Sequence, residues 1–295
     1  AGVRAGEPLS CAMKRHPDVF PALYIAAIAA GEGTGELTRL LRRYMAFDKK
    51  IGALRKRLVS SMIYPAVLAS ATLAVAIFFT LHVVPSFAGV YSGAGALLPM
   101  PTRVLMSATG FLREHAVLLI ALAVNTAAAI KIFSGTERGR TFFDSLKLAM
   151  PAFGALYTAY AVSRLSSALA MSLDAGFTFP TALAMSSPVV LNSVIGRRLE
   201  MAAREIKGGR AVAEAFASSR VMPEFALAML SAGERSAALA GALEEISSYY
   251  EDEMAHRLDM LSRLIEPALM IVMGVLVGAI AVLMYLPVFE LGAAF

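Results

Sequence analysis

The sequence predicts an all-α fold: a polytopic membrane protein with two homologous cytoplasmic antiparallel helix-bundle domains and three transmembrane helices. Three observations carry this reading. Uncharged apolar stretches reach membrane-spanning length, Lys and Arg are distributed unevenly around them, and the polar regions repeat with a fixed offset. Composition agrees: 58% of the 295 residues are hydrophobic and 17% charged, with a mean hydropathy of +0.65. That is too apolar for an ordinary soluble globule and too charged to lie wholly in lipid.

Taken in order, residues 1–62 form the first cytoplasmic helical domain. No basic segment followed by an apolar core opens the chain, so no signal peptide is expected. Residues 63–85 form the first transmembrane helix, since Ala66 to Val84 carry no formal charge, and Pro65 and Pro85 are expected to bracket the span. An extracytoplasmic loop occupies 86–115, and 116–133 form the second span, with Asn125 inside and Lys131 near its end. A buried or re-entrant helix is the alternative for this marginal segment. The second cytoplasmic domain covers 134–265, the third span 266–287, bracketed by Pro267 and Pro287, and an extracytoplasmic tail 288–295.

Basic residues orient these spans. Eleven Lys and Arg precede the first span, two (Arg103 and Arg113) lie in the loop, fourteen fall from Lys131 to Arg263, and the tail has none. By the positive-inside rule the N-terminal side and the large middle region are cytoplasmic and the C-terminus extracytoplasmic. The same rule accounts for the net charge of +5 without a nucleic-acid partner. The single cysteine, Cys11, cannot form an internal disulfide and fits a reducing compartment.

The two polar regions are copies of one unit. Adding 202 maps Pro21 to Pro223, Gly31 and Glu32 to Gly233 and Glu234, Leu37 to Leu239, Leu41 to Leu243, Pro65 to Pro267 and Pro85 to Pro287. Upstream, residues 6–10 resemble 209–213 with a one-residue slip. The second copy also has helical patterns at 164–184, interrupted at Gly176, and at 194–207. No counterpart precedes Ala1, so the first domain reads as N-terminally truncated. Apolar spacing within both copies is helical. The Gly-Glu element reads as a hairpin turn, with Gly31 and Gly233 ending one helix in a left-handed conformation and Thr34 and Ser236 capping the next. Catalysis by Glu32 and Glu234 is the weaker reading, because no acid, His or Lys recurs beside them to form an acid–base pair.

On these residues the chain resembles the GspF/PilC family, the inner-membrane platform proteins of type II secretion systems and type IV pili. The resemblance is carried by FPALYIAAIAAGEGTGELTRLL at 20–41, its partner MPEFALAMLSAGERSAALAGAL at 222–243, the endings VVPSF at 83–87 and YLPVF at 285–289, and the loop GVYSGAGALLPMPTR at 89–103. It implies a bacterial inner-membrane protein that couples a cytoplasmic hexameric assembly or secretion ATPase to extrusion of pilin or pseudopilin subunits. It also implies homo-oligomerisation and contact with other inner-membrane assembly components. Pro21, Thr34, Gly35, Leu37, Ser236 and Leu239 belong to the motif with the paired Gly-Glu; the second copy departs from it, carrying Ala237 opposite Gly35.

Candidate partner contacts follow from charge. Lys49, Lys50, Arg55, Lys56 and Arg57 enter the first span, whereas the matching stretch begins Glu251, Asp252 and Glu253. Unlike faces suggest separate contacts, the basic helix with anionic lipid or a neighbouring protomer and the acidic one with the ATPase or another subunit. Solvated faces and topology charge are the simpler account. His82 and Asn125 are polar groups within spans, read as packing rather than proton relay, and Gly274 and Gly278 allow close helix approach. No phosphate-binding loop, metal-ligand spacing or nucleophile motif occurs, so neither enzymatic activity nor a cofactor is expected. A small transporter or channel is the alternative class; it would require polar residues converging from several spans.

Overall fold

The computed structural model describes residues 6–16, 19–35, 37–79, 107, 110–111 and 114–293, and among these the regular structure is helical, without strands. They belong to two compact units, Ala1–Leu58 with Thr136–Leu258, and Val59–Gly135 with Asp259–Phe295. Both polar regions thus contribute to one compact unit.

In the polar unit, α1 (Leu9–Lys14) and α2 (Ala22–Thr34) lead into α3, which begins at Leu37 and continues to Phe78. After the second apolar segment come α5 (Glu137–Ala149), α6 (Pro151–Asp174), α7 (Phe179–Ser186), α8 (Ser193–Lys207), α9 (Val212–Ser218) and α10 (Glu224–Arg235). The last helix, α11, runs from Leu239 to Ala293. The break between α6 and α7 falls at Gly176, where φ is +87°. The repeat is visible in three dimensions: α1, α2 and α3 correspond to α9, α10 and α11, and Ile28 and Leu230, related by 202, are both buried in the core. Leu165, Leu169, Leu183, Leu199, Phe216, Leu243, Ile246 and Met254 complete the centre. Each such side chain, moved from water to a packed interior, contributes roughly 1.5–3 kcal/mol before conformational entropy is counted. The first copy joins the second because α2 packs on α7.

The Gly-Glu hairpin differs from the expected turn in two ways. Gly31 and Gly233 lie inside α2 and α10 rather than at their ends. They are glycines because the chain folds back over them: a Cβ on Gly31 would come within 2.7 Å of Leu37 Cα, and one on Gly233 would collide with Ala242 Cβ. The left-handed residues are Gly35, with φ +75°, and its repeat partner Ala237, with φ +54°. Ser236 does not cap the following helix either; its hydroxyl donates back to the Ala232 carbonyl at 3.0 Å. Thr34 is the last residue of α2, and its side chain lies outside the described residues. Pro21 and Pro223 precede the first residue of α2 and α10, where the fixed proline φ suits helix entry.

The boundary prolines also differ from expectation. Pro65 is inside α3, and Pro267 and Pro287 are inside α11, so they interrupt hydrogen-bond ladders without ending helices. Pro85, His82 and the loop motif at 89–103 lie outside the described residues. In the apolar unit, α4 (Ala116–Gly135) covers the second candidate span. α3 is long and apolar enough to cross a membrane, with a window of mean hydropathy 1.9. Val117, Leu122, Ile132, Met270, Ile271 and Val275 of this unit all have exposed side chains. Asn125 donates to its own helix, at the Ala121 carbonyl, 2.8 Å away.

Because a side chain in the left-handed region costs roughly 1–2 kcal/mol, partly offset by the extra unfolded-state freedom of glycine, Ala237→Gly should stabilise the chain by about 0.5–1 kcal/mol. Thermal unfolding of the full chain in neutral detergent checks this; a lowered midpoint contradicts it.

Candidate functional site

The Glu of each Gly-Glu pair closes a helix that cannot cap itself. A helix N-terminus exposes N–H groups without intrahelical partners and carries partial positive charge. The residues preceding α1 and α9 are Pro8 and Ala211, and neither provides a side-chain cap. Glu32 supplies it from 22 residues away: its carboxylate accepts from the Ser10 hydroxyl at 2.6 Å and the Ser10 N–H at 3.2 Å, and also from the Leu9 N–H. Glu234 accepts from the N–H groups of Val212 at 2.7 Å and Ala213 at 3.0 Å. The one-residue slip in the sequence repeat falls between Glu and capped helix, which is why Leu9 and Val212 are equivalent. The Ser10 hydroxyl, against a smaller opposing effect of burial and with help from the Ser10 and Leu9 amides, holds the Glu32 carboxyl below its usual range. A carboxylate so committed is a poor general base.

Asp144 of α5 repeats the device at the start of α8. It accepts from the Ser193 N–H and hydroxyl, both at 2.9 Å, while Asn192 caps Val194 and Ile195 and donates its amide to the Asp144 carbonyl. Burial pushes the Asp144 carboxyl up, but the Ser193 donors and Lys147 outweigh it and leave it below the usual range.

A second cluster joins the copies. Lys50 on α3 pairs with Glu251 on α11 at 2.8 Å, and Glu251 also accepts from Ser247 at 3.1 Å and Ser163 at 3.4 Å. Both serines are fully buried. Nearby, Arg43 pairs with Asp174 at 3.1 Å. The expectation of separate external contacts therefore fails for Lys50 and Glu251, which neutralise each other inside the unit. Glu253 is likewise occupied, with Arg257 donating to it at 2.6 Å. Lys49, Lys56, Arg57 and Asp252 are exposed, and the Arg55 side chain lies outside the described residues. The internal pair was hidden from sequence because residues 50 and 251 are not equivalent under the 202 offset; only packing brings them together.

A cleft of about 460 Å³ lies between α5 and the start of α8, lined by Arg140, Thr141, Asn192, Ser193, Arg197 and Glu200. Its polar groups bond to one another: Arg197 to the Thr141 hydroxyl at 3.0 Å and Arg140 to the Leu191 carbonyl at 3.3 Å. Among the described residues no group of three His, Cys, Asp or Glu could hold a metal ion.

The described residues thus combine duplicated helical units, carboxylates committed to helix ends and one helix long and apolar enough to cross a membrane. The sequence pattern of type II secretion system protein F matches residues 1–85 and 165–287, once per copy. The chain is 34% identical to the type IV pilus assembly protein PilC of Thermus thermophilus, over 98% of this chain and 71% of that protein. It is 32% identical to the type 4 fimbrial assembly protein PilC of Pseudomonas putida, over 99% of this chain and 73% of that protein. It is 27% identical to the type II secretion system protein F of Pseudomonas aeruginosa, over 99% of this chain and 72% of that protein. The chain belongs to the type II secretion system protein F family.

Two outcomes follow. The lowered Glu32 carboxyl contributes stability that is present above the ordinary carboxylate value and lost as pH falls through its folded value. Glu32→Gln should therefore be less stable than the parent at neutral pH and converge with it in acid, as read from thermal midpoints; a constant gap would exclude this origin. For the partly buried pair, Lys50→Met or Glu251→Gln should each cost roughly 1–3 kcal/mol, and the double variant clearly less than their sum. Additive losses in a double-mutant cycle would mean that the two residues act separately.

Proposed function

We propose that this chain is an inner-membrane platform for assembly of pilin-like subunits, in a type IV pilus or a type II secretion machine. The match of both copies to the family is the observation that carries the reading. The relatives named for pilus assembly and for type II secretion support the assembly role. Three spans, 63–85, 116–133 and 266–287, hold the chain in the bilayer, with 1–62 and 134–265 cytoplasmic and the C-terminus outside. The exposed apolar side chains of α3, α4 and α11 support this assignment.

The chain is not an enzyme in this reading, and a partner provides the energy. A cytoplasmic hexameric ATPase drives the helical unit, which passes motion to pilin or pseudopilin subunits, together with other inner-membrane components and further copies of the chain. Positioning fits the residues: Pro21, Gly31, Glu32, Gly35, Leu37 and their repeat partners fix the hairpins, and the Lys50–Glu251 pair holds the copies together, so the polar unit would respond as one body. Lys49, Lys56 and Asp252 are exposed charges among the residues expected to make contacts, and are the partner-contact candidates.

Co-purification of the full chain with its cognate assembly ATPase from mildly solubilised membranes tests the coupling. Lys50→Glu should reduce both ATPase recovery and filament output, and adding Glu251→Lys should restore them. Undiminished recovery with Lys50→Glu would detach the ion pair from coupling, and an absence of the ATPase even after crosslinking of the parent would remove the motor from the proposal.

A further inference from the structure

Helix α5 turns an apolar stripe outward. Phe142, Leu146 and Met150 recur at four-residue spacing and so share one face, and Phe153 continues them into the first turn of α6. All four side chains are exposed, by 57%, 47%, 44% and 45%. The other side of α5 packs on α6 and α8, where Gly139 and Asp144 are buried. The charged residues left on its surface are Glu137, Arg138, Arg140 and Lys147. Arg138 precedes Phe142 by one turn on the same face, and both line a cleft of about 280 Å³ with Arg197 of α8 and Glu137.

Both ends of α5 adjoin points where the chain passes between its two units. α5 begins at Glu137, two residues after α4 ends at Gly135. Its far end turns into α6, and Ala155 and Thr158 of α6 line one cleft with Glu253 and Arg257 of α11, just before α11 enters the apolar unit at Asp259. The basic stripe of α3, Arg43 and Lys50, pairs instead with Asp174 at the other end of α6 and with Glu251. The 202 offset carries that stripe to Glu245 and Asp252 on α11, so the repeat sets no helix on α5.

We propose that α5 lies in the surface of the cytoplasmic leaflet, seating Phe142, Leu146, Met150 and Phe153 at the acyl-chain border and placing Arg138 and Arg197 among anionic phospholipid headgroups. At 13 residues α5 is about 20 Å long, too short to cross a bilayer, and an apolar stripe beside cations is the pattern of a helix that lies along one. An arginine one turn from a phenylalanine keeps its guanidinium at phosphate level while its stem covers apolar surface. Continuity selects lipid over a soluble partner, because both ends of the stripe adjoin helices that run on into apolar segments. The inference rests on the membrane reading of α4 and α11 for the position of the bilayer, and adds a contact that the spans alone do not require.

The test uses the full chain with its exposed cysteine removed by Cys11→Ser, one new cysteine at a time carrying a fluorophore that spin-labelled lipid quenches. The vesicles are zwitterionic lipid with about one-third phosphatidylglycerol. With the spin label near the headgroup, Leu146→Cys should be quenched at least about twofold more than Lys207→Cys at the other end of α8. Omitting phosphatidylglycerol, or adding Arg138→Glu, should lower the Leu146→Cys quenching by about twofold. Equal quenching at the two positions overturns the proposal, and quenching indifferent both to anionic lipid and to Arg138→Glu overturns the headgroup contact. Oxidative joining of two Leu146→Cys chains in place of lipid quenching also overturns it, because a second copy would then cover the stripe. Val275→Cys on α11, read with a spin label deep in the acyl chain, checks the span separately: losing that signal overturns the span, while Leu146→Cys still decides the place of α5.

Discussion

The unmet N–H groups at the starts of α1 and α9 are the constraint around which each copy is organised. Pro8 and Ala211 offer no side-chain oxygen there, so a carboxylate must arrive from elsewhere in the chain. Glu32 and Glu234 reach these ends only if α2 and α10 run back alongside the short helices, which fixes the order and direction of the hairpin. The neighbouring glycine follows from the same demand, since the next helix crosses so closely that a Cβ would collide with it. A two-residue motif thus combines an electrostatic requirement with a steric one. Catalysis needs a carboxylate with a free lone pair and a partner; here the lone pairs face backbone amides.

Duplication supplied two such hairpins, and divergence of charge gave them different surroundings. The first copy's basic stripe is neutralised against Asp174 and Glu251 of the second. Among the described residues, the equivalent acids on α11, Glu245 and Asp252, form no such pair. Asp174 and Glu251, which lie outside the equivalent positions on α11, supply the opposite charge, so one copy packs on the other without leaving a partly buried charge unmatched. The buried Ser163 and Ser247 beside Glu251 extend that match by hydrogen bonding. Joining the copies within one compact unit is the property an assembly scaffold requires if force applied to one part is to be carried by the other.

The prolines at 65 and 267 occupy equivalent positions of α3 and α11, inside continuous helices. Each removes one intrahelical donor, a cost of about 3 kcal/mol in an isolated helix interior. Helix continuity through these positions means that the polar and apolar segments of a copy share one element. Displacement at the polar end of α3 or α11 therefore has a covalent and hydrogen-bonded route along the same helix.

The helical class, the apolar segments and the 202-residue repeat were legible from the sequence because they depend on local composition and on periodicity, which survive without knowledge of contacts. The break at Gly176 and the helix following Asn192 were legible for the same reason. The hairpin was recognised but misassigned in detail: Gly31 and Gly233 read as left-handed helix ends because glycine usually serves that role, while their true reason, the close approach of Leu37 and Ala242, exists only after the chain folds back. The boundary prolines read as helix ends because their cost is local, whereas continuation of α3 and α11 is cooperative along the element. Pairing of Lys50 with Glu251 and capping by Glu32 and Glu234 join residues distant in the chain. Sequence by itself determined the helices, their duplication and where their charges lie; tertiary structure decided which charges meet and which glycines are crossed, because those depend on distances across the fold.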